Sequence, residues 1–208
     1  MMLGPLLLLA ATAQDPVADA AERRPDGAHG RFEGDLGLAV AAGATFGPRA
    51  PRATLDLRLR YLSTAGVFAT YEEGFGGSEP GRLLAFGLEI RPLFLARWAT
   101  NRELGRPRLD LLIDSFALEL GAVLSQPDGT AAFGRRGLQA GIGLALPFLA
   151  TASTPFVAAH AGCRWSDDAL AGGPLAGPGD RSLFLSIEIG FQQLFGAHLA
   201  DLGDRRAP

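Results

Sequence analysis

The sequence predicts an all-β fold, an up-and-down antiparallel barrel of about eight strands built to cross a membrane, and three observations carry that expectation. Apolar and polar residues alternate with a period of two over long runs, which puts one face of each strand in an apolar medium and the other in a polar one. The chain of 208 residues is 48% hydrophobic with a mean hydropathy of +0.17, high for a water-soluble domain, yet its most continuous apolar stretch, residues 138–152, is broken by Gln139, Gly141, Gly143 and Pro147 and reads poorly as a helical span. The polar face of the runs is crowded with Gly and Ala, which suits the narrow interior of a small barrel.

Residues 1–13 have a Leu-rich core and end in Ala11-Thr12-Ala13, the small-x-small pattern of a cleaved export signal, so export is expected. Residues 14–30 carry no apolar period and read as a disordered leader. The barrel proper is expected over residues 31–195, with a C-terminal tail at 196–208.

The first strand, residues 31–46, sets Leu36, Leu38, Val40, Ala42 and Phe46 against Glu33, Asp35 and Thr45. Pro48 and Pro51 then remove backbone donors and force a turn. Residues 52–62 separate the faces most cleanly, Ala53, Leu55, Leu57, Leu59 and Tyr61 on one and Arg52, Thr54, Asp56, Arg58 and Arg60 on the other. After a turn at 63–66, a third strand faces Val67, Ala69 and Tyr71 outward and Phe68, Thr70 and Glu72 inward, and a fourth, 83–91, places Glu89 and Arg91 inward. Residues 92–104 break the pattern. They read either as a short interfacial helix, with Pro92 in its first turn and Phe94, Leu95 and Trp98 beside Arg97 and Arg102, or as an irregular continuation of strand four.

A fifth strand is expected over 109–124, with Glu119 inward and Asp114 breaking parity at a bulge or rim. Pro127-Asp128-Gly129 marks a turn. Strand six faces Leu138, Ala140, Ile142, Leu144 and Leu146 away from Gln139, Gly141 and Gly143. Strand seven puts Val157, Cys163 and Trp165 outside and His160 and Arg164 inside, and residues 166–180 form a Gly/Pro-rich loop. The last strand alternates Leu183, Leu185, Ile187, Ile189 and Phe191 with Ser186, Glu188, Gly190 and Gln192. An even strand number puts both ends of the sheet on one side of the membrane.

Alternation alone leaves a soluble, lipocalin-like barrel around an apolar ligand as the competing arrangement. The small residues of the polar face favour a narrow, charge-lined lumen of Glu33, Asp35, Asp56, Arg58, Arg60, Glu89, Arg91, Glu119, His160, Arg164 and Glu188, with Tyr61, Tyr71, Trp98 and Trp165 as an aromatic girdle. Taken together, residues 31–195 resemble the small outer-membrane β-barrel proteins of Gram-negative bacteria. That resemblance implies residence in the cell outer membrane and contact with the lipid bilayer. It also implies an assembly-machinery signal at Glu188, Gly190, Leu194 and Phe195 of the last strand.

Deacylases among such barrels place a His two residues before a Ser, and here Gly162 stands two residues after His160. No phosphate-cradling loop, Cys/His metal spacing or nucleophile elbow is present in the sequence, so no catalytic, cofactor or metal site is expected. A net charge of -3 argues against nucleic acid as a partner. Cys163 is the only cysteine, so no internal disulfide forms. The expected role is that of a monomeric structural or adhesive barrel, or a narrow pore.

Overall fold

The computed structural model describes residues 36–48, 50–75, 81–100, 102–126, 132–151, 153–172 and 181–196. Among them run β1 (Leu36–Phe46), β2 (Arg52–Tyr61), β3 (Ala65–Gly74), β4 (Arg82–Ile90), β5 (Ala117–Ser125), β6 (Arg135–Pro147), β7 (Thr154–Ser166) and β8 (Arg181–Phe195). Each strand pairs antiparallel with its neighbour in sequence, and β1 closes on β8 to complete an eight-stranded barrel. Helices α1 (Pro92–Thr100) and α2 (Pro107–Asp114) lie between β4 and β5, and α3 (Asp167–Ala171) follows β7. The proposed export signal, leader, Glu33, Asp35, the 127–129 turn and most of the C-terminal tail lie outside the described residues.

Leu36 pairs with both Tyr61 and Phe195, so the first and last strands begin and finish at one end of the barrel, the terminal end. The turn at 62–64, the α1–α2 hairpin and the 148–153 connection share that end. The opposite, loop end carries the connections after β1, β3, β5 and β7.

The two-residue period settles which way each strand faces. On β2, Arg52, Thr54, Asp56, Arg58 and Arg60 are buried, while Leu55, Leu57, Leu59 and Tyr61 are exposed. The same parity runs around the ring and leaves an unbroken apolar exterior, with Leu88, Leu120 and Leu183 exposed by 64%, 62% and 71%. Charged side chains at outward-facing strand positions, Glu73, Arg82, Arg136 and Arg181, all stand within two residues of a strand's loop end. Ten residues of β2, at about 3.3 Å each and tilted by about 40°, give the apolar band a height of roughly 25 Å.

Four local expectations need correction. The turn after β2 is tighter than the sequence suggests: Leu62 and Ser63 both have left-handed backbone, with φ of 47° and 54°, and Thr64 N–H donates to Tyr61 C=O at 3.0 Å, so β3 already starts at Ala65. Positive φ at both central positions gives the chain reversal whose twist matches a hairpin, here without the usual Asn or Gly. The helix starting at Pro92 ends at Thr100 rather than at residue 104. The stretch 109–124 is not one strand: Pro107 initiates α2, and Asp114 sits in its last turn rather than at a bulge. Apolar residues of α2 alternate with polar ones only by coincidence; a helix instead puts Asp110, Leu111 and Asp114 on one buried face. The short α3, with Ser166 as its cap, likewise replaces the start of the expected loop.

The helix hairpin seals the terminal end. Phe94 of α1 and Leu111 of α2 are buried, while Leu93, Leu95 and Trp98 face outward. Arg97 clamps the hairpin, pairing with Asp110 and reaching Asp114 at 3.0 Å, and Asp110 also accepts the Leu104 and Arg106 N–H groups at 2.9 and 3.0 Å. Just before β5 begins, the Ser115 hydroxyl takes the Ala145 N–H at 2.8 Å, so a side chain continues the ladder where the backbone has turned away. Replacing Arg97 by Met leaves two buried carboxylates without their cation, at a cost of about 3–5 kcal/mol. The expected result is rapid protease cleavage between residues 92 and 114 while the strands stay protected; equal protection in the variant would show that the clamp does not hold the hairpin.

Candidate functional site

The lumen is filled by two charged networks and two apolar clusters. Ala39, Ala41, Phe156 and Ala158 pack together beside a lower charged layer centred on Arg58. Phe68, Leu83, Ala85 and Val123 form the second cluster, whose Leu83 and Val123 line the same loop-end cavity as Arg52 and Arg164. An upper charged layer around Glu72 and Arg164 faces that end.

Arg58 is the hub of the lower layer. Its Nε donates to Asp56 Oδ2 at 2.5 Å, and its Nη1 donates to Glu89 Oε2 at 2.6 Å and to Glu119 Oε1 at 2.5 Å. The strand register explains why that fork is needed. Glu89 and Glu119 are directly opposite each other on β4 and β5, an arrangement in which like charges repel. A guanidinium projecting across from β2 is ion-paired with both and offsets their repulsion. Arg60 adds a second cation to Glu89 and donates to Gln192 Oε1 at 3.0 Å, and Thr70 donates to Asp56 Oδ1 at 2.6 Å. His160 Nδ1 lies 2.8 Å from Glu119 Oε1 and its Nε2 lies 4.0 Å from Glu188. Arg91 stands 3.9 Å from Glu89.

Glycine makes room for this layer. A Cβ built on Gly143 would come within 2.6 Å of His160 Nδ1 and 2.9 Å of Glu119 Oε1, so the imidazole–carboxylate pair occupies the space a side chain would take. The crowding of small residues on the inward face is thus the complement of the long charged ones.

In the upper layer Arg164 grips Glu72 with both terminal nitrogens, at 3.0 and 2.5 Å, and gives its Nε to Gln139 Oε1 at 2.8 Å. Its guanidinium also lies over the Phe184 ring, 4.2 Å from the centroid. Arg52 reaches the same carboxylate at 3.4 Å.

Of the charged residues singled out in the sequence, Asp56, Arg58, Arg60, Glu89, Arg91, Glu119, His160 and Glu188 therefore come together in one layer, and Arg164 belongs to another. Glu72, fully buried at the centre of the upper layer, and Arg52 were legible as inward-facing but not as members of a charge network. The Arg97–Asp110–Asp114 clamp was missed, although Asp110 and Asp114 stand at the i, i+4 spacing of a helix face immediately after a helix-starting Pro107. Outward-facing Tyr61 and, on α1, Trp98 mark the terminal end, while Tyr71 and Trp165 lie towards the loop end. In β8, Leu194 is buried in the lumen and Phe195 faces out. No group of three or more His, Cys, Asp or Glu side chains able to hold a metal ion occurs among the described residues.

Cavities of about 20 Å³ flank the lower layer, and a larger one of about 140 Å³ opens at the loop end. The fold and interior define a closed antiparallel barrel, apolar outside and charge-paired inside.

Among solved structures, the chain is similar to the N-terminal β-barrel domain of Pseudomonas aeruginosa OprF, with 13% identity, a TM-score of 0.47, and coverage of 77% of this chain and 99% of that one. No family model and no curated protein matches the chain.

Proposed function

We propose that this chain is an outer-membrane barrel protein of structural or adhesive type, or at most a narrow pore, and that it is not an enzyme. The observation that carries the reading is the inversion of polarity: exposed Leu, Ile, Val and Phe outside, buried Arg and Glu inside. Water-soluble proteins do not leave so large an apolar surface uncovered, and a band about 25 Å tall with charges beginning only at its rim suits a bilayer. A soluble barrel around an apolar ligand needs the reverse lining.

In this reading the terminal end faces the periplasm, the outward side chains of α1 rest in the headgroup zone, and lipid and the assembly machinery are the partners of a monomer. The ion pairs and the buried apolar clusters support a lumen that does not conduct freely. His160 is engaged by Glu119 and lies near Glu188, which favours a structural role over an active-site one. No nucleic-acid partner is proposed.

Cys163 provides the test. It shares the outward face with Ala161 and Trp165 and pairs with Ala140 and Leu183. A nitroxide attached there in reconstituted vesicles is expected to collide readily with dissolved oxygen and rarely with a water-soluble nickel complex. Ready access to nickel would place this face in water and overturn the membrane assignment. In planar bilayers, the filled lumen is expected to give no large, steady conductance; such a conductance would show that the barrel is an open channel.

A further inference from the structure

The two ends of the apolar belt are marked differently. At the loop end, charged side chains stand on outward strand positions, Glu73, Arg82, Arg136 and Arg181. At the terminal end of β4, β5 and β6 the last outward positions are Ile90, Leu118 and Leu146, all exposed and all apolar. The chain passes from Ile90 straight into α1 and from α2 back to β5, so the hairpin stands where the belt on this side of the barrel stops. The bond between Ser115 and Ala145 of β6 pins it there.

Helices of nine and eight residues are too short to hold themselves together in water. The Arg97 clamp supplies what helix length does not, and it also fixes the connecting backbone: Arg102 N–H donates to Arg97 C=O at 3.0 Å, and Arg97 Nε donates to Arg102 C=O at 3.2 Å. What the anchored hairpin presents is an apolar surface, with Leu93, Leu95, Trp98, Leu104 and Leu109 exposed. Arg102, Arg106 and Arg108, together with Glu103, are exposed along the same stretch. Large apolar side chains left uncovered on a clamped element mark a contact surface. Interleaved with arginine, they have the composition of a segment lying in a bilayer interface: leucine and tryptophan enter the acyl chains, and arginine stems carry their forks back out to phosphate oxygens. Each fork makes its own contact, so the fit does not depend on the net charge of that end.

We propose that the α1–α2 hairpin is a phospholipid-binding foot, its exposed leucines and Trp98 seated in the upper acyl region of the leaflet at the terminal end and Arg102, Arg106 and Arg108 holding the phosphodiesters of glycerophospholipids. The inference rests on the outer-membrane reading and adds the lipid group that this hairpin takes.

The test uses the full chain with Trp165→Phe, reconstituted in phosphatidylcholine vesicles, so that Trp98 is the fluorescent tryptophan. Its emission is expected to be quenched most by bromines near the ester end of the acyl chains, least by bromines at the chain ends, and to be shielded from acrylamide in the water. Changing Arg102, Arg106 and Arg108 together to Gln removes the forks and keeps the clamp, and gel mobility checks that the barrel folds. That variant is expected to raise acrylamide quenching of Trp98 by about threefold, and Lys at the three positions to recover part of the protection. Vesicles of digalactosyldiacylglycerol, which carry no phosphate, should expose Trp98 of the unaltered hairpin as much as the Gln variant does. Free access of acrylamide to Trp98 in phosphatidylcholine vesicles would overturn the proposal and leave the surface to a soluble protein partner. Shielding that survives both the arginine changes and the loss of phosphate would overturn it as well. The nitroxide at Cys163 reports the belt separately: failure at Trp98 with Cys163 in lipid refutes the foot alone, whereas nickel access at Cys163 refutes the membrane reading itself.

Discussion

Replacing Arg58 by Ala is expected to abolish recovery of the folded barrel. The substitution strands Asp56, Glu89 and Glu119 in a dry interior, with Glu89 and Glu119 directly facing each other across β4 and β5. Breaking a single buried pair costs about 3–5 kcal/mol, and here one guanidinium serves three carboxylates, so the loss rivals the net stability of about 5–15 kcal/mol typical of folded proteins. The measurement is urea unfolding followed by the difference in gel mobility between boiled and unboiled protein. A triple change, Arg58→Met with Asp56→Asn and Glu119→Gln, removes the charges together and leaves Glu89 with Arg60. It is expected to restore much of the midpoint, because neutral replacement of a whole buried cluster is far cheaper than orphaning part of it. An unchanged midpoint in Arg58→Ala would mean that water reaches the layer freely.

The second large effect comes from the opposite face of the same strand. Leu57 points outward at mid-height on β2, between Val40 of β1 and Ala69 of β3. With a bilayer around the barrel, Leu57→Arg is expected to cost about 2–4 kcal/mol, whereas Ala53→Arg near the loop end costs about 0–1 kcal/mol. Folding into vesicles against a urea gradient gives both values. Equal costs at the two depths would refute the lipid-facing belt, since water offers an arginine the same welcome at either position.

The difference between these two substitutions shows what the sequence made legible. Parity on β2 could be read directly because every inward residue from Arg52 to Arg60 is polar and every outward one from Ala53 to Tyr61 is apolar. Periodicity reports a face, however, and not which residues meet across a lumen. Arg58 meets Glu119 and His160, and Arg164 meets Glu72, only through barrel closure and stagger, at separations of 61, 102 and 92 residues. This is why the charged set reads as one network in the sequence and as two layers in space. The region from Pro92 to Asp114 was hardest, because short helices flanked by strands offer too few turns for a helical period to outweigh a chance alternation. The turn at Leu62 and Ser63 carries neither Gly nor Asn to announce its left-handed backbone.

The closed topology also has a kinetic consequence. Seven of the eight strand pairs join neighbours in sequence and can zip one hairpin at a time, whereas the β1–β8 seam, running from Leu36↔Phe195 to Phe46↔Leu185, must bring together the two extremes of the sheet. Bonds from Arg58 across the ring to Glu119 and His160 form only as that ring curls shut. They therefore act late on the folding path: weakening them speeds opening of the barrel far more than it slows its formation, which makes the charged interior a brake on escape from the folded state.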